Sequence, residues 1–289
     1  MGKRLDNSER CELFEGIAEA VWNRITRAQS LGINLPEDGI TRDIIVDILE
    51  YHAKSIPNFD VYAKPGWNEN TYGGDLDIYI ETNRGEYIWF ALQAKILKKN
   101  NIYTTLRDGY SVSNPTYQWD KLMLLEAVGG CHAYFLFYNG GESNFNYLNK
   151  LSPLFDQCKR EYLPEQLGCS IVKLDVVQKF ALRKKGLRYQ NPTFQELHPE
   201  NSQPWRVLVC CHHELSEFTI YSLDEILQSQ PKLIRLNTDG NQGGENDGED
   251  EELKEDSDDF PVVEGNRINS AMLEANWNPS LRLIVNRTT

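Results

Sequence analysis

The stretch that most constrains this chain is residues 73–97, GGDLDIYIETNRGEYIWFALQAKIL. Two runs of strand composition, Asp75–Glu81 and Glu86–Ile96, flank the turn-forming string Thr82-Asn83-Arg84-Gly85, which predicts a β-hairpin. Asp75 lies nine residues before Arg84 and Gln93 nine after it. An antiparallel register centred on Arg84 therefore sets the two side by side at the open end of the hairpin. Side chains alternate along a strand. Asp75, Asp77 and Tyr79 then share one face, and Gln93 and Lys95 share a face of the second strand, with Ala94 and Ile96 opposite. A carboxylate, an amide oxygen and an ammonium group converge there, a set able to hold a divalent cation and activate a water.

The flanking sequence supplies the other elements. Leu13, Ile17, Ala20, Val21 and Ile25 recur at helical spacing within residues 8–31. After a Pro/Gly-bearing connection, Leu31–Gly39, a second helix is expected from Thr41, as N-cap, to Lys54, with Ile44, Ile45 and Ile48 on its core face. A first strand is expected at Asn58–Ala63. Tyr117–Val128 reads as a helix closed by Gly129-Gly130, followed by a buried strand, Cys131–Tyr138. Further on, residues 146–166 read as broken helix, Cys169–Leu174 as strand and Val176–Leu187 as helix. Trp205–Cys211 reads as strand, Ser222–Gln230 as a short helix and Leu281–Val285 as a strand able to rejoin the sheet. The pattern is mixed α/β. The strand after the Tyr117 helix is expected parallel to the third strand, reached by a right-handed crossover.

The net charge of −13 argues against a nucleic-acid partner, but it is unevenly placed. Residues 239–259 hold eleven acids and one lysine, which leaves a net of −3 for the rest. That segment is almost free of apolar residues, and its composition predicts an acidic, disordered linker. It divides the chain into an α/β domain over residues 1–238, with its core at about 37–140, and a C-terminal segment over 260–289. Local basic groups remain available to phosphate: Lys98 and Lys99 after the hairpin, and Arg183, Lys184 and Lys185 in a cluster with Lys179 and Arg188. The longest apolar runs, such as Ala133–Tyr138, are too short to span a bilayer, and the N-terminus shows no apolar leader. Six scattered or adjacent cysteines, with no C-x-x-C spacing, are expected as reduced thiols in a cytoplasmic protein. Cys210-Cys211-His212-His213 suggests a metal cluster, but alternation on a strand would aim at most two of the four at one ion.

Asp75 followed across a hairpin by Gln93-Ala94-Lys95 resembles the PD-(D/E)xK nuclease signature, in the QxK form similar to Mrr-like nucleases. The strings GGDLDIYI, LQAKIL, YFLFYN, GCSI and PWRVLVCC resemble an uncharacterised bacterial family of that superfamily over about residues 10–215. The resemblance implies a restriction-endonuclease-like mixed sheet with flanking helices, an α-β-β-β-α-β core, plus a C-terminal elaboration. It implies a Mg²⁺- or Mn²⁺-dependent endonuclease that hydrolyses phosphodiester bonds, most simply in DNA, in a setting of anti-phage defence. By the same likeness Asp75, Gln93 and the Ala94 carbonyl hold the metal, and Lys95 orients the water or neutralises developing charge. A helix acid completes the site, with Glu37 the better match and Glu50 the second. Asp77 and Gln118 are accessory candidates. Double-strand cleavage by one site per chain would favour a homodimer. Two other readings stand beside this one. In the first, the same fold binds DNA or protein without catalysis. In the second, the nuclease is silent until a regulatory partner or ligand releases it, with the acidic stretch as the restraint.

Overall fold

Period-two alternation of large apolar side chains builds the centre of the molecule. In the computed structural model, Leu76, Ile78 and Ile80 of one strand and Ile88, Phe90, Leu92, Ala94 and Ile96 of the next are buried in a single cluster on one face. Tyr79, Tyr87, Trp89 and Ala91 are buried in a second cluster on the other. A sheet with two apolar faces needs cover on both. The structure describes residues 8–54, 61–65, 74–83, 86–104, 106, 117–151, 153–157, 159–182, 189–210, 219–222, 225, 234–235 and 281–285. Within them the chain is a mixed α/β protein.

Helices α1 (Ser8–Ser30) and α2 (Glu37–Lys54) cover the first face with Phe14, Ile17, Val21, Ile25, Ile44 and Ile48. They are followed by β1 (Val61–Pro65), β2 (Leu76–Asn83) and β3 (Glu86–Ile96). Next come α3 (Gln118–Gly129), β4 (His132–Tyr138), α4 (Glu142–Leu148), a 3₁₀ turn (Pro164–Gly168), β5 (Cys169–Lys173) and α5 (Leu174–Ala181). Trp119 and Leu122 of α3 and Leu174, Val177 and Ala181 of α5 join the second cluster. The described chain closes with α6 (Phe194–Leu197), β6 (Gln203–Pro204), α7 (Val207–Cys210), β7 (Tyr221–Ser222), β8 (Ile234–Arg235) and β9 (Leu281–Val285).

Among the described residues the strands form one sheet in the order β6-β5-β4-β3-β2-β9-β1-β8, with β7 also paired to β3. The hairpin register runs Leu76↔Leu92, Asp77↔Ala91 and Tyr79↔Trp89. One step outward, it places Asp75 beside Gln93, as the count from Arg84 predicts. β4 lies parallel to β3, also as expected. The order helix, three strands, helix, strand holds along the chain from α2 to β4. In space β1 does not adjoin β2. The returning β9 separates them, parallel to β2 and antiparallel to β1.

Several boundaries differ from the sequence reading. α2 starts at Glu37, a turn before Thr41. Pro36 fixes φ near the helical value, and its carbonyl accepts the first helical bond, from the Ile40 N–H. Thr41 is therefore inside the helix, where its hydroxyl lies 3.2 Å from the Glu37 carbonyl. Of the strand expected at Asn58–Ala63, residues 61–63 belong to β1, which runs on to Pro65; residues 58–60 lie outside the described residues. The helix placed at residues 146–166 is α4, which ends at Leu148. Val207–Cys210 is a helical turn and not a strand, because β5 pairs with Gln203–Pro204 just before it. α5 begins at Leu174 and ends at Ala181. Ser222, where a short helix is expected to open, pairs with Glu86 of β3 and exchanges cap hydrogen bonds with Glu225, which is helical; residues 226–230 lie outside the described residues. The acidic stretch at 239–259 lies outside the described residues.

Candidate functional site

β2 pairs with β3 only as far as Leu76, while β3 runs on to Ile96. Among the described residues, the end of β3 thus has a bare edge on the β2 side. Leu97 turns its N–H to the Tyr138 carbonyl of β4, at 2.9 Å, so the N–H groups of Ala94 and Ile96 turn to that bare edge. Two carboxylates take the place of the missing strand. Asp75 Oδ2 accepts from the Ala94 N–H at 2.7 Å, and Glu37 Oε2 accepts from the Ile96 N–H at 2.9 Å. Asp75 is held at this edge by its own N–H, which donates to the Leu92 carbonyl at 2.8 Å. Glu37 is held by the position of α2. Thr41, one turn along the helix, shares a 2.7 Å hydrogen bond with the Tyr138 hydroxyl. The Tyr138 hydroxyl is pushed well above its ordinary pKa, chiefly by burial, then by Cys169, with Asp75 and Glu37 adding to the effect.

The two remaining side chains are buried between these acids. The Gln93 amide nitrogen donates to Asp75 Oδ2 and lies 3.4 Å from the Ala94 carbonyl. Lys95 Nζ pairs with Glu37 Oε1 at 3.1 Å. The Lys95 side chain is 1% exposed and that of Glu37 23%, so solvent reaches the cluster from the Glu37 side. Gln93 Oε1 is buried with no hydrogen-bond partner among the described residues. Asn and Gln amides can turn end for end. The turned amide would set its oxygen against the Asp75 carboxylate, which is favourable only with a cation or proton between them.

The structure therefore brings Asp75, Gln93, Ala94, Lys95 and Glu37 together. Glu50 stands apart. It is exposed near the other end of α2, about 20 Å along the axis from Glu37 at 1.5 Å per residue. Asp77 lies one pair inward, opposite Ala91, fully buried. Its charge, after burial, is a cause of the raised Cys131 thiol. Gln118 opens α3 and is buried, with Oε1 unpartnered among the described residues. Leu122, one turn on, comes within 3.8 Å of a Cβ built on Gly74, so this face of α3 looks toward the start of the hairpin. Lys98 is half-buried and Lys99 exposed just past β3. Arg183, Lys184 and Lys185 lie outside the described residues, as do Cys211, His212 and His213.

Among the described residues no group of three or more His, Cys, Asp and Glu side chains is placed to hold a metal. The oxygen set at the bare edge fits a hard divalent cation through one or two carboxylates, the Gln93 amide oxygen and the Ala94 carbonyl. The unpartnered, buried Gln93 oxygen is the observation behind that fit.

A family model described as a family of unknown function, DUF6615, matches residues 10–287. The chain belongs to the DUF6615 family. The match spans the hairpin, both flanking helices and β9, so the bare edge and the strand that returns beside β2 lie within the DUF6615 region. No curated protein and no solved structure matches the chain.

Sequence reading found no partner for His198; the fold supplies several. Its Nε2 lies 2.6 Å from Ser170 Oγ and 3.3 Å from Asn139 Nδ2. Its Nδ1 lies 3.1 Å from the Phe194 carbonyl, which can only accept, so Nδ1 carries the proton. The Tyr103 hydroxyl donates to Asn139 Oδ1 at 2.6 Å. All four side chains are buried, so this Ser–His pair is part of the core and not a nucleophile open to substrate. A buried Arg206 likewise pairs with Glu15 and Asp156. Partners so far apart in sequence leave no local spacing to read.

Proposed function

We propose that this DUF6615 chain is a divalent-cation-dependent nuclease acting on DNA, built on a restriction-endonuclease-like core. The observation that carries the reading is the bare edge of β3. Two carboxylates, an orphaned amide oxygen and a buried lysine meet there, a set that supports a PD-(D/E)xK-type reading. Mg²⁺ or Mn²⁺ held at that edge would supply charge neutralisation and a more acidic water. Asp75 anchors the oxygen set, with Gln93 and the Ala94 carbonyl beside it. Glu37 completes the set from α2 and shares its carboxylate with Lys95. With Glu37 engaged by such a cation, Lys95 would be free to donate to the charge that builds on the phosphate oxygens. Lys98 and Lys99, next along the chain, offer contacts to the DNA backbone.

A second reading is favoured by one observation: Glu37 already satisfies Lys95, and Asp75 already caps a backbone N–H. The same residues then form a structural clasp in a non-catalytic binding module. Purified protein with Mn²⁺ or Mg²⁺ and plasmid, linear or single-stranded DNA separates the two. Cleavage is expected from the natural chain and a loss of at least about a hundredfold from Lys95→Ala. Equal background from both would sink the enzyme reading. Calorimetry adds an independent arm. Gln93→Glu restores an acidic ligand and is expected to raise Mn²⁺ affinity about tenfold, whereas Asp75→Asn abolishes binding. No Mn²⁺ binding by any of the three proteins leaves the clasp.

A further inference from the structure

The connection between α1 and α2 leaves an apolar groove open at the end of β3. Gly32, with φ 71°, ends α1 in the left-handed conformation that glycine adopts without strain. Its N–H donates to the Gln29 carbonyl at 3.2 Å, and the Ile33 N–H to the Ala28 carbonyl at 2.8 Å. These are the paired bonds of a Schellman motif. Ile33 is thereby left 53% exposed, with Leu31 64% exposed just before the glycine. The Gln29 amide donates to the Leu97 carbonyl at 3.3 Å, so the end of β3 forms the facing wall. Ile25, Ala28, Leu35, Ile96 and Leu97 line the groove, together with Lys98 and Lys99. Among the described residues no carboxylate lines it, and neither lysine has an ion-pair partner.

We propose that this groove is a docking surface for a partner protein, which seats an aliphatic side chain between α1 and β3 and sets an acidic side chain against Lys98 and Lys99. Three observations choose that occupant. The first is size. The groove holds about 50 Å³ of free space, whereas sites for drug-sized ligands and cofactors run to roughly 300–1,000 Å³. One side chain fits; a nucleotide does not. The second is the wall. No aromatic ring lines the groove, so it lacks the stacking surface that an unpaired base needs, while its aliphatic walls suit a Leu, Ile or Val. The exposed Leu31 and Ile33 extend the apolar contact. The third is charge. Two lysines without a neighbouring acid select a carboxylate beside the anchor.

The groove borders the bare edge. Ile96 lines it and gives its N–H to Glu37, and Leu35 stands just before Pro36 and Glu37. A seated partner therefore covers Lys98 and Lys99. The docking stands on the groove alone. Its consequence, that partner and DNA compete for those lysines, rests on the nuclease reading.

The test uses the full chain and a fluorescein-labelled peptide of alternating aspartate and leucine, read by fluorescence anisotropy. An aspartate–serine peptide and a lysine–leucine peptide are the controls. The aspartate–leucine peptide is expected to bind saturably, and each control at least about tenfold more weakly. Ile33→Asp and Lys99→Glu change exposed positions and are expected to keep the natural melting curve. Each should weaken the aspartate–leucine peptide about tenfold, and salt should weaken it further. Leu124→Asp, on an exposed leucine of α3, is expected to leave binding unchanged. Equal binding by the natural chain and Ile33→Asp overturns the proposal, as does an equal loss in Leu124→Asp or a preference for the lysine–leucine peptide. Single-stranded DNA that binds more tightly than the peptide and is lost in Ile33→Asp would make the groove a nucleic-acid site instead. A dimer seen by light scattering and dissociated by Ile33→Asp would make the occupant a second copy. Peptide binding by a chain that cleaves no DNA sinks the nuclease reading and leaves the docking intact. DNA cleavage that the bound peptide does not slow overturns the competition alone.

Discussion

The clearest residue-scale lesson is that polar side chains in this core serve as backbone. Asp75 and Glu37 occupy hydrogen-bond positions that a strand would otherwise fill. A buried N–H left bare costs about 1–3 kcal/mol, so these acids contribute to folding whether or not they act in chemistry. The same logic applies to His198. Burial pushes its pKa down to about 3, from an ordinary 6.5. The unfolded chain therefore takes up the proton first as acid is added. Its contribution to stability is intact above about pH 6.5 and falls as pH drops toward 3, at ~1.4 kcal/mol per pH unit and roughly 5 kcal/mol in all. Urea titrations at pH 7, 5.5 and 4.5 are expected to show this slope in the natural chain. A His198→Gln chain is expected to be less stable at pH 7 but flatter over the same range. Parallel slopes in the two proteins would place the acid lability elsewhere.

At the scale of elements, α1 is fitted to the sheet by a glycine. A Cβ built on Gly168 would stand 1.9 Å from the Ala18 carbonyl oxygen and 2.8 Å from the Trp22 nitrogen. Both are main-chain atoms of a helix and cannot swing aside. Gly168→Ala should therefore push α1 off the 3₁₀ turn and destabilise the chain by about 3 kcal/mol, at the upper end for overpacking. Thermal melts would show this as a drop of roughly 6–12 °C for a domain of this size. An unchanged melt would mean that helix and turn can separate freely. The early start of α2 belongs to this scale too. Helical periodicity from Ile44 onward located the helix. The first turn, however, is set by Pro36 and by the Glu37 contacts to β3, which a periodicity count does not include.

At the scale of the molecule, the last described strand is not peripheral. β9 stands between β2 and β1, some two hundred residues after the strand it runs beside. Removing it bares the outer edge of β2 and separates β1 and β8 from the rest of the sheet. A bare, long edge strand invites pairing with another chain. A chain truncated after residue 259 is therefore expected to aggregate and to melt lower than the full chain, as read by light scattering and calorimetry. A monomeric truncated chain with an unchanged melt would show β9 to be dispensable.

The hairpin was legible in the sequence because both its turn and its alternation are local. Counting from Arg84 was enough to place Asp75 beside Gln93, and alternation was enough to put Ala94 and Ile96 on the apolar side. Mixed α/β class, the parallel β3–β4 pair and the affinity of Leu281–Val285 for the sheet also followed from pattern. Only the tertiary structure decided between Glu37 and Glu50 as the acid beside Lys95, because that depends on which end of α2 packs against β3. It alone put β9 between β2 and β1 and gave His198 and Arg206 their partners. Each of these is a contact between residues far apart in the chain. Local propensity carries no record of such contacts; burial of the two sheet faces fixes them.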